Sequence, residues 1–141
     1  MPLVFAGALG HRGDTYVKHI AHTPGARYIG YIDETEKKAL YTHARAFLYP
    51  SLYEGFGFPV LESLACGTPV ITSNRTSLPS VAGRGCMLVN PLNTAQLQIA
   101  METITTDDTL HAHLAEEGKK HAMTYSWDRT VSDLLELFEH I

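Results

Sequence analysis

Cysteine is nearly absent from this chain. Cys66 and Cys86 are the only two in 141 residues, and neither has a Cys or His neighbour at metal-ligand spacing. A disulfide-dense secreted scaffold is therefore excluded. A single bridge between the two stays open, with a reducing cytoplasmic setting as the expectation. Charge is sparse as well: 18% of residues are charged, the formal net charge is −4, and no run of Lys and Arg occurs. Nucleic-acid binders hold phosphates with clustered cations, so no nucleic-acid partner is expected. No apolar run approaches the length that spans a bilayer. The opening Met1-Pro2-Leu3-Val4-Phe5-Ala6-Gly7 lacks the basic flank and longer apolar core of a secretory signal. A soluble cytoplasmic protein is expected, with contact at the cytoplasmic face of a membrane left open. The spacing Gly7, Gly10, Gly13 is not the dinucleotide-binding glycine fingerprint. His19 and His22 share a helix face, but no carboxylate or Cys stands at ligand spacing, so surface histidines and no metal are expected. The Arg12-Gly13-Asp14 tripeptide reads as coincidence.

What is present is an ordinary globular composition, 45% hydrophobic, in one domain's worth of chain. Short apolar runs alternate with helical patterns. Leu3–Ala6 reads as a strand buried on both faces, Arg27–Ile32 as a second, Ala46–Pro50 as a third, Pro69–Thr72 as a fourth and Met87–Val89 as a fifth. Helices are expected from Thr15 to His22, from an Asp33 cap to Ala44, and after Pro59 with Val60, Leu61, Leu64 and Ala65 inward and Gly67 as C-terminal cap. Three more close the chain: one turns Leu97, Ala100, Met101 and Ile104 inward, the next Leu110 and Leu114, and the last Val131, Leu134, Leu135 and Phe138. Tyr and Phe fall mostly at core positions. Strands alternating with helices across short connections imply an α/β, doubly wound parallel sheet of about five strands, a Rossmann-like single domain over residues 1–141. Ligands of such sheets bind beyond the C-terminal strand ends, which selects the loops after Ala6, Ile32, Pro50 and Ser73.

The loop after Pro50 carries the chemistry: Ser51-Leu52-Tyr53-Glu54-Gly55-Phe56-Gly57-Phe58-Pro59-Val60-Leu61-Glu62. It follows a strand and opens a helix. Two glycines permit a sharp turn and close approach of a ligand, and Pro59 suits the first helical turn. Free amides at Phe56, Gly57 and Phe58, with the positive helix end, suit a diphosphate. Glu54 before the turn and Glu62 within the helix are acceptors fit for the vicinal hydroxyls of a hexose and a ribose. Two glutamates so spaced are, without context, ordinarily solvated charges. The context is what argues otherwise.

The run from Pro50 to Ile71 resembles the signature of group 1 glycosyltransferases of GT-B fold, whose hallmark Glu-x(7)-Glu is met by Glu54 and Glu62. Arg27–Ile32, Ser73-Asn74, Leu78-Pro79, Val81-Ala82-Gly83, Val89-Asn90-Pro91 and Tyr125-Ser126-Trp127 fit the family in order, so the resemblance covers nearly the whole chain. It implies a hexosyltransferase that retains anomeric configuration, takes a nucleotide-diphosphate sugar as donor substrate, and needs no metal or other cofactor. Glu54 is the catalytic residue it points to, contacting sugar hydroxyls near the reacting carbon; it is not thereby a nucleophile. The amides of Gly57 and Phe58 would meet the sugar or diphosphate, Glu62 the ribose, and Gly30 and Tyr31 the base. Family members have two such domains. The chain therefore reads as most of the C-terminal, donor-binding half, without the acceptor domain that would hold a glycan or lipid, and without the upstream segment that supplies an Arg and a Lys to the diphosphate. Ser80, where the family usually has Glu after Leu-Pro, implies a changed helix cap. Little or no transfer by the chain alone is expected, with the final apolar helix exposed, repacked or used in self-association. A non-catalytic nucleotide or nucleotide-sugar binding module, or a structural or partner domain that keeps the fold but not the ligand, are the alternatives.

Overall fold

A computed structural model describes residues 1–140 of the chain. The chain divides into two compact units, Met1–Lys37 and Lys38–Ile141. In the first, β1 (Leu3–Phe5) pairs in parallel with β2 (Ala26–Tyr28), and α1 (Gly13–Ala21) packs against β2. The register Val4↔Arg27 is extended beyond the strands by Ile29 N–H donating to Phe5 O at 2.9 Å and Gly7 N–H to Gly30 O at 2.8 Å. β2 is shorter than expected. Gly30 takes φ 81, which ends the extended conformation before Tyr31. β1 is not buried on both faces, since Val4 and Phe5 are exposed. Two short strands and one helix offer too little surface to cover both sides of this unit's own sheet.

α2 (Glu34–His43) begins with the expected capping box. Asp33 Oδ1 accepts from the Glu36 amide at 2.8 Å, and Glu36 Oε2 accepts from the Asp33 amide at 3.1 Å. The Glu36 amide, then the Thr35 hydroxyl, holds the Asp33 carboxyl below its usual range.

The second unit holds a parallel sheet in the order β3 (Phe47–Tyr49), β4 (Val70–Ser73), β5 (Cys86–Val89). Among the described residues the five strands thus fall into sheets of two and three. β4 is central, paired on both edges and buried at every residue. Alternation splits the core into two layers. Val70, with Phe47 and Tyr49, meets Val60 and Leu64 of α3 (Phe58–Ala65), Leu78, Val81 and Ala82 of α4 (Leu78–Ala82) and Ala122 of α6 (Asp108–Ala122). Ile71 and Val89, with Leu48 and Met87, meet Ala100 and Ile104 of α5 (Thr94–Thr106) and Leu114 of α6. Helices on both faces of a parallel sheet are the doubly wound arrangement the alternation implied.

Several details differ from the sequence reading. Ser63, not Ala65, lies in the core of α3, where its hydroxyl donates to Thr68 O at 3.3 Å. Gly67, at φ 80, closes the helix with the paired bonds Gly67 N–H to Leu64 O and Thr68 N–H to Ser63 O, as expected of its cap. α4 is an additional short helix; Ser77 occupies its N-cap and Ser80 the third helical position, where a Glu would reach back to the cap. α7 (Trp127–Glu139) has no buried residue, and Val131, Leu134, Leu135 and Phe138 are exposed. Nor are the aromatics mainly core: Tyr16, Tyr31, Tyr53, Phe58 and Trp127 are each at least half exposed. No helix among the described residues is long and apolar enough to cross a membrane.

Candidate functional site

β3 ends at Tyr49 and delivers the loop to α3. Gly57 sits at the helix N-cap with φ 105, a conformation closed to most L-residues, and Pro59 follows inside the first turn. The Val60 and Leu61 amides turn back to Gly57 O at 3.0 and 3.5 Å, and the amides of Phe56, Gly57 and Phe58 have no partner among the described residues. Free N–H groups at the positive end of a helix are an anion site in waiting.

The loop is tied down from the segment after β4. The Glu54 amide donates to Thr76 Oγ1 at 3.2 Å, and the Ser77 hydroxyl reaches the carbonyls of both Glu54 and Phe56, at 3.1 and 2.8 Å. Thr76 itself has φ 55, a left-handed conformation that a β-branched residue adopts only at some strain. From the other side, Phe56 packs edge-on to Tyr125 (5.9 Å between centroids) and tilted to Phe58 (4.7 Å), while Phe58 stacks on Trp127 at 6.2 Å. The Tyr125-Ser126-Trp127 stretch therefore buttresses the loop, with Ser126 capping α7 through the Arg129 amide.

Both motif carboxylates accept a tyrosine hydroxyl. Tyr49 donates to Glu54 Oε1 at 2.7 Å and Tyr41, of α2, to Glu62 Oε2 at 3.4 Å. The two tyrosines are joined by Phe47, which meets Tyr41 edge-on at 5.0 Å and stacks with Tyr49 at 5.7 Å. A ladder of three rings thus links Glu54 to Glu62 along the α3 side of β3. Burial, then the bond to Glu54, pushes the Tyr49 phenol up to about 12, so it is a donor at neutral pH. Glu54 is half-buried and so is Glu62.

The second unit thus brings together Glu54, Phe56, Gly57, Phe58 and Glu62. Gly30 and Tyr31 belong to the first unit, where Tyr31 is 78% exposed. Two open apolar grooves in that unit, bordered by α1 and β2 residues such as Val17, Ile20 and Tyr28, contain none of these site residues. Tyr41, Tyr49, Thr76 and Ser77 were not selected from sequence. Ser77, a hydroxyl before Leu78-Pro79, carried a cap signal; Tyr49 carried only its place at a strand end.

Histidine side chains bond main-chain carbonyls. His19 and His22 bond the carbonyls of Thr15 and Lys18, His111 that of Arg45 and His121 that of Ser80. Cys66 and Cys86 are free thiols.

The model of the family Glycosyl transferases group 1 matches residues 1–121. The chain belongs to that family. O-antigen chain mannosyltransferase B of Escherichia coli is 32% identical over 141 residues, which cover 98% of this chain and 37% of that protein. D-inositol 3-phosphate glycosyltransferase of Salinispora arenicola is 38% identical over 105 residues, 71% of this chain and 23% of its own. The family member described here thus spans well under half the length of these relatives. Sucrose-phosphate synthase from Thermosynechococcus elongatus superposes with TM-score 0.84 at 24% identity, over 98% of this chain and 38% of that one. Anabaena HepE, solved with UDP and glucose, does so with TM-score 0.85 at 16% identity, over 99% and 41%. These likenesses establish the α/β fold of the GT-B glycosyltransferases.

Proposed function

We propose that this glycosyltransferase chain binds a nucleotide-diphosphate hexose as the donor part of an enzyme that transfers the sugar, with retention, to a glycan or lipid acceptor. In this reading the diphosphate lies against the amides of Phe56, Gly57 and Phe58, Glu54 accepts from sugar hydroxyls near the reacting carbon, and Glu62 accepts from the ribose diol. The contact of Gly30 and Tyr31 with the base rests on the sequence resemblance alone. The observation that carries the reading is the loop itself: unpaired amides at the start of α3, flanked by two carboxylates that each accept a tyrosine hydroxyl. Fixed N–H dipoles would stabilise the charge that develops on the departing diphosphate.

The acceptor is bound by residues outside these 141, and the chain alone binds donor without transferring sugar; the 37% span of the mannosyltransferase relative supports this. Calorimetric titration with UDP, GDP and their glucose and mannose conjugates tests the reading. Saturable binding of at least one conjugate is expected. Absence of binding to all of them overturns it, and donor-dependent transfer by the isolated chain overturns its inactivity.

A further inference from the structure

We infer that Tyr49 is a positioning residue for Glu54, fixing one carboxylate oxygen so that the other is presented to a hydroxyl of the bound sugar. The inference rests on the donor-site reading above. Its own ground is geometric. Glu54 Oε1 is taken by the Tyr49 hydroxyl at 2.7 Å, while Oε2 has no partner among the described residues and stays open to solvent. Tyr49 is held at both ends: its ring stacks on Phe47, and its main-chain carbonyl accepts from Thr72 Oγ1 at 2.9 Å within the β3–β4 register. The Glu54 backbone is held separately, by Thr76 and Ser77. Only the side-chain torsions of Glu54 would otherwise be loose, and the tyrosine hydroxyl is what restrains them. A pre-oriented acceptor loses less conformational entropy when it binds.

Tyr49→Phe deletes one oxygen and keeps the ring on Phe47, so the fold is expected to hold, with a thermal midpoint close to the parent's. The decisive quantity is the preference for a nucleotide-diphosphate hexose over the bare diphosphate, measured by calorimetry on the 141-residue chain with GDP-mannose against GDP and UDP-glucose against UDP. In the parent the conjugate is expected to bind tighter. Tyr49→Phe is expected to erode that preference about tenfold, as for a hydrogen bond to a charged group, while affinity for the bare diphosphate stays unchanged. Glu54→Gln erodes it too, and the Tyr49→Phe/Glu54→Gln double variant is no worse than Glu54→Gln alone. If Glu54→Gln loses the preference and Tyr49→Phe keeps it, the positioning role is overturned and the donor-site reading stands. If Tyr49→Phe weakens the bare diphosphate equally, its role is structural and the inference fails. If the parent shows no preference, or Glu54→Gln keeps it, the donor-site reading itself falls.

Discussion

Gly85 and Gly118 approach so closely that a Cβ built on Gly85 would lie 2.2 Å from the Gly118 Cα, and one built on Gly118 would lie 2.6 Å from Leu64 Cδ2. The residue before β5 and the middle of α6 are therefore in backbone contact, with the fully buried Leu64 of α3 filling the remaining space. Gly118 is poor for helix propensity yet required for packing. Gly118→Ala is expected to destabilise by about 1–3 kcal/mol as an overpacked site, and Gly85→Ala by more, because its neighbour is backbone and cannot rotate away. Urea unfolding followed by circular dichroism reads both. A Gly118→Ala variant as stable as the parent would show that α6 can shift outward freely.

Gly57 has a double constraint. Its φ of 105 is strained for any side chain, and a Cβ there would meet Leu78 Cδ2 at 2.6 Å. Gly57→Ala is expected to lower stability by about 1–3 kcal/mol and to abolish measurable binding of UDP and GDP, because the amides at the start of α3 lose their common alignment. Unchanged diphosphate affinity in a folded Gly57→Ala variant would remove these amides from the site.

How far the sequence revealed this arrangement depends on the range of each interaction. The capping box at Asp33 and the cap at Gly67 are set by residues three to five apart and the motif from Glu54 to Glu62 by one short stretch of chain, so all three are local, and the structure has all of them. Short apolar runs and period-3.6 patterns located the five strands and six of the seven helices among the described residues; α4, five residues long, is too short to show a period. The tyrosine supports were hidden for two reasons: Tyr41 and Glu62 are 21 positions apart, a pairing set by tertiary packing, while Tyr49, only five positions from Glu54, carried no local signal beyond its place at a strand end. Thr76 and Ser77 were hidden for the first of these reasons, lying more than 20 residues from the loop they hold. The apolar face of α7 was legible as a face. A period shows which residues align, but burial depends on what covers them.

That face gives a stability prediction of unusually small size for apolar residues. Leu134 and Phe138 are 48% and 69% exposed, so the double substitution Leu134→Lys/Phe138→Lys removes little buried area and should change unfolding free energy by no more than about 0.5 kcal/mol. The same variant should lower any concentration-dependent association of the chain, since a contiguous exposed apolar strip favours self-contact. Sedimentation velocity over a concentration series checks the second point. A large loss of stability would mean that the helix packs inward in solution.

Cys86 is held protonated. Burial pushes its thiol from 9.0 up to about 11, and its Sγ approaches Gly83 O at 3.5 Å. The thiolate is the reacting species, so at pH 8 the folded chain should alkylate at Cys86 about a hundredfold more slowly than the urea-unfolded chain. The rate should climb with pH until it passes about 11. Peptide mapping after timed iodoacetamide exposure measures it. Equal rates in the folded and unfolded chains would mean that the thiol is open to solvent and unshifted.

The two motif carboxylates should separate by ligand. Glu62 is proposed to meet the ribose, which UDP, GDP and their sugar conjugates all contain; Glu54 is proposed to meet the sugar, which only the conjugates contain. Glu62→Ala is therefore expected to weaken bare diphosphate and conjugate alike, by about tenfold, the scale of a lost hydrogen bond to a charged group. Because Glu62 also accepts from the mostly buried Tyr41 hydroxyl, Glu62→Gln is the better-behaved companion: it keeps an acceptor for Tyr41 while removing the charge. Loss with both variants, equal across ligands, places the ribose at α3. A loss confined to the conjugates would move Glu62 to the sugar, and no loss with either variant would take α3's carboxylate out of donor recognition altogether.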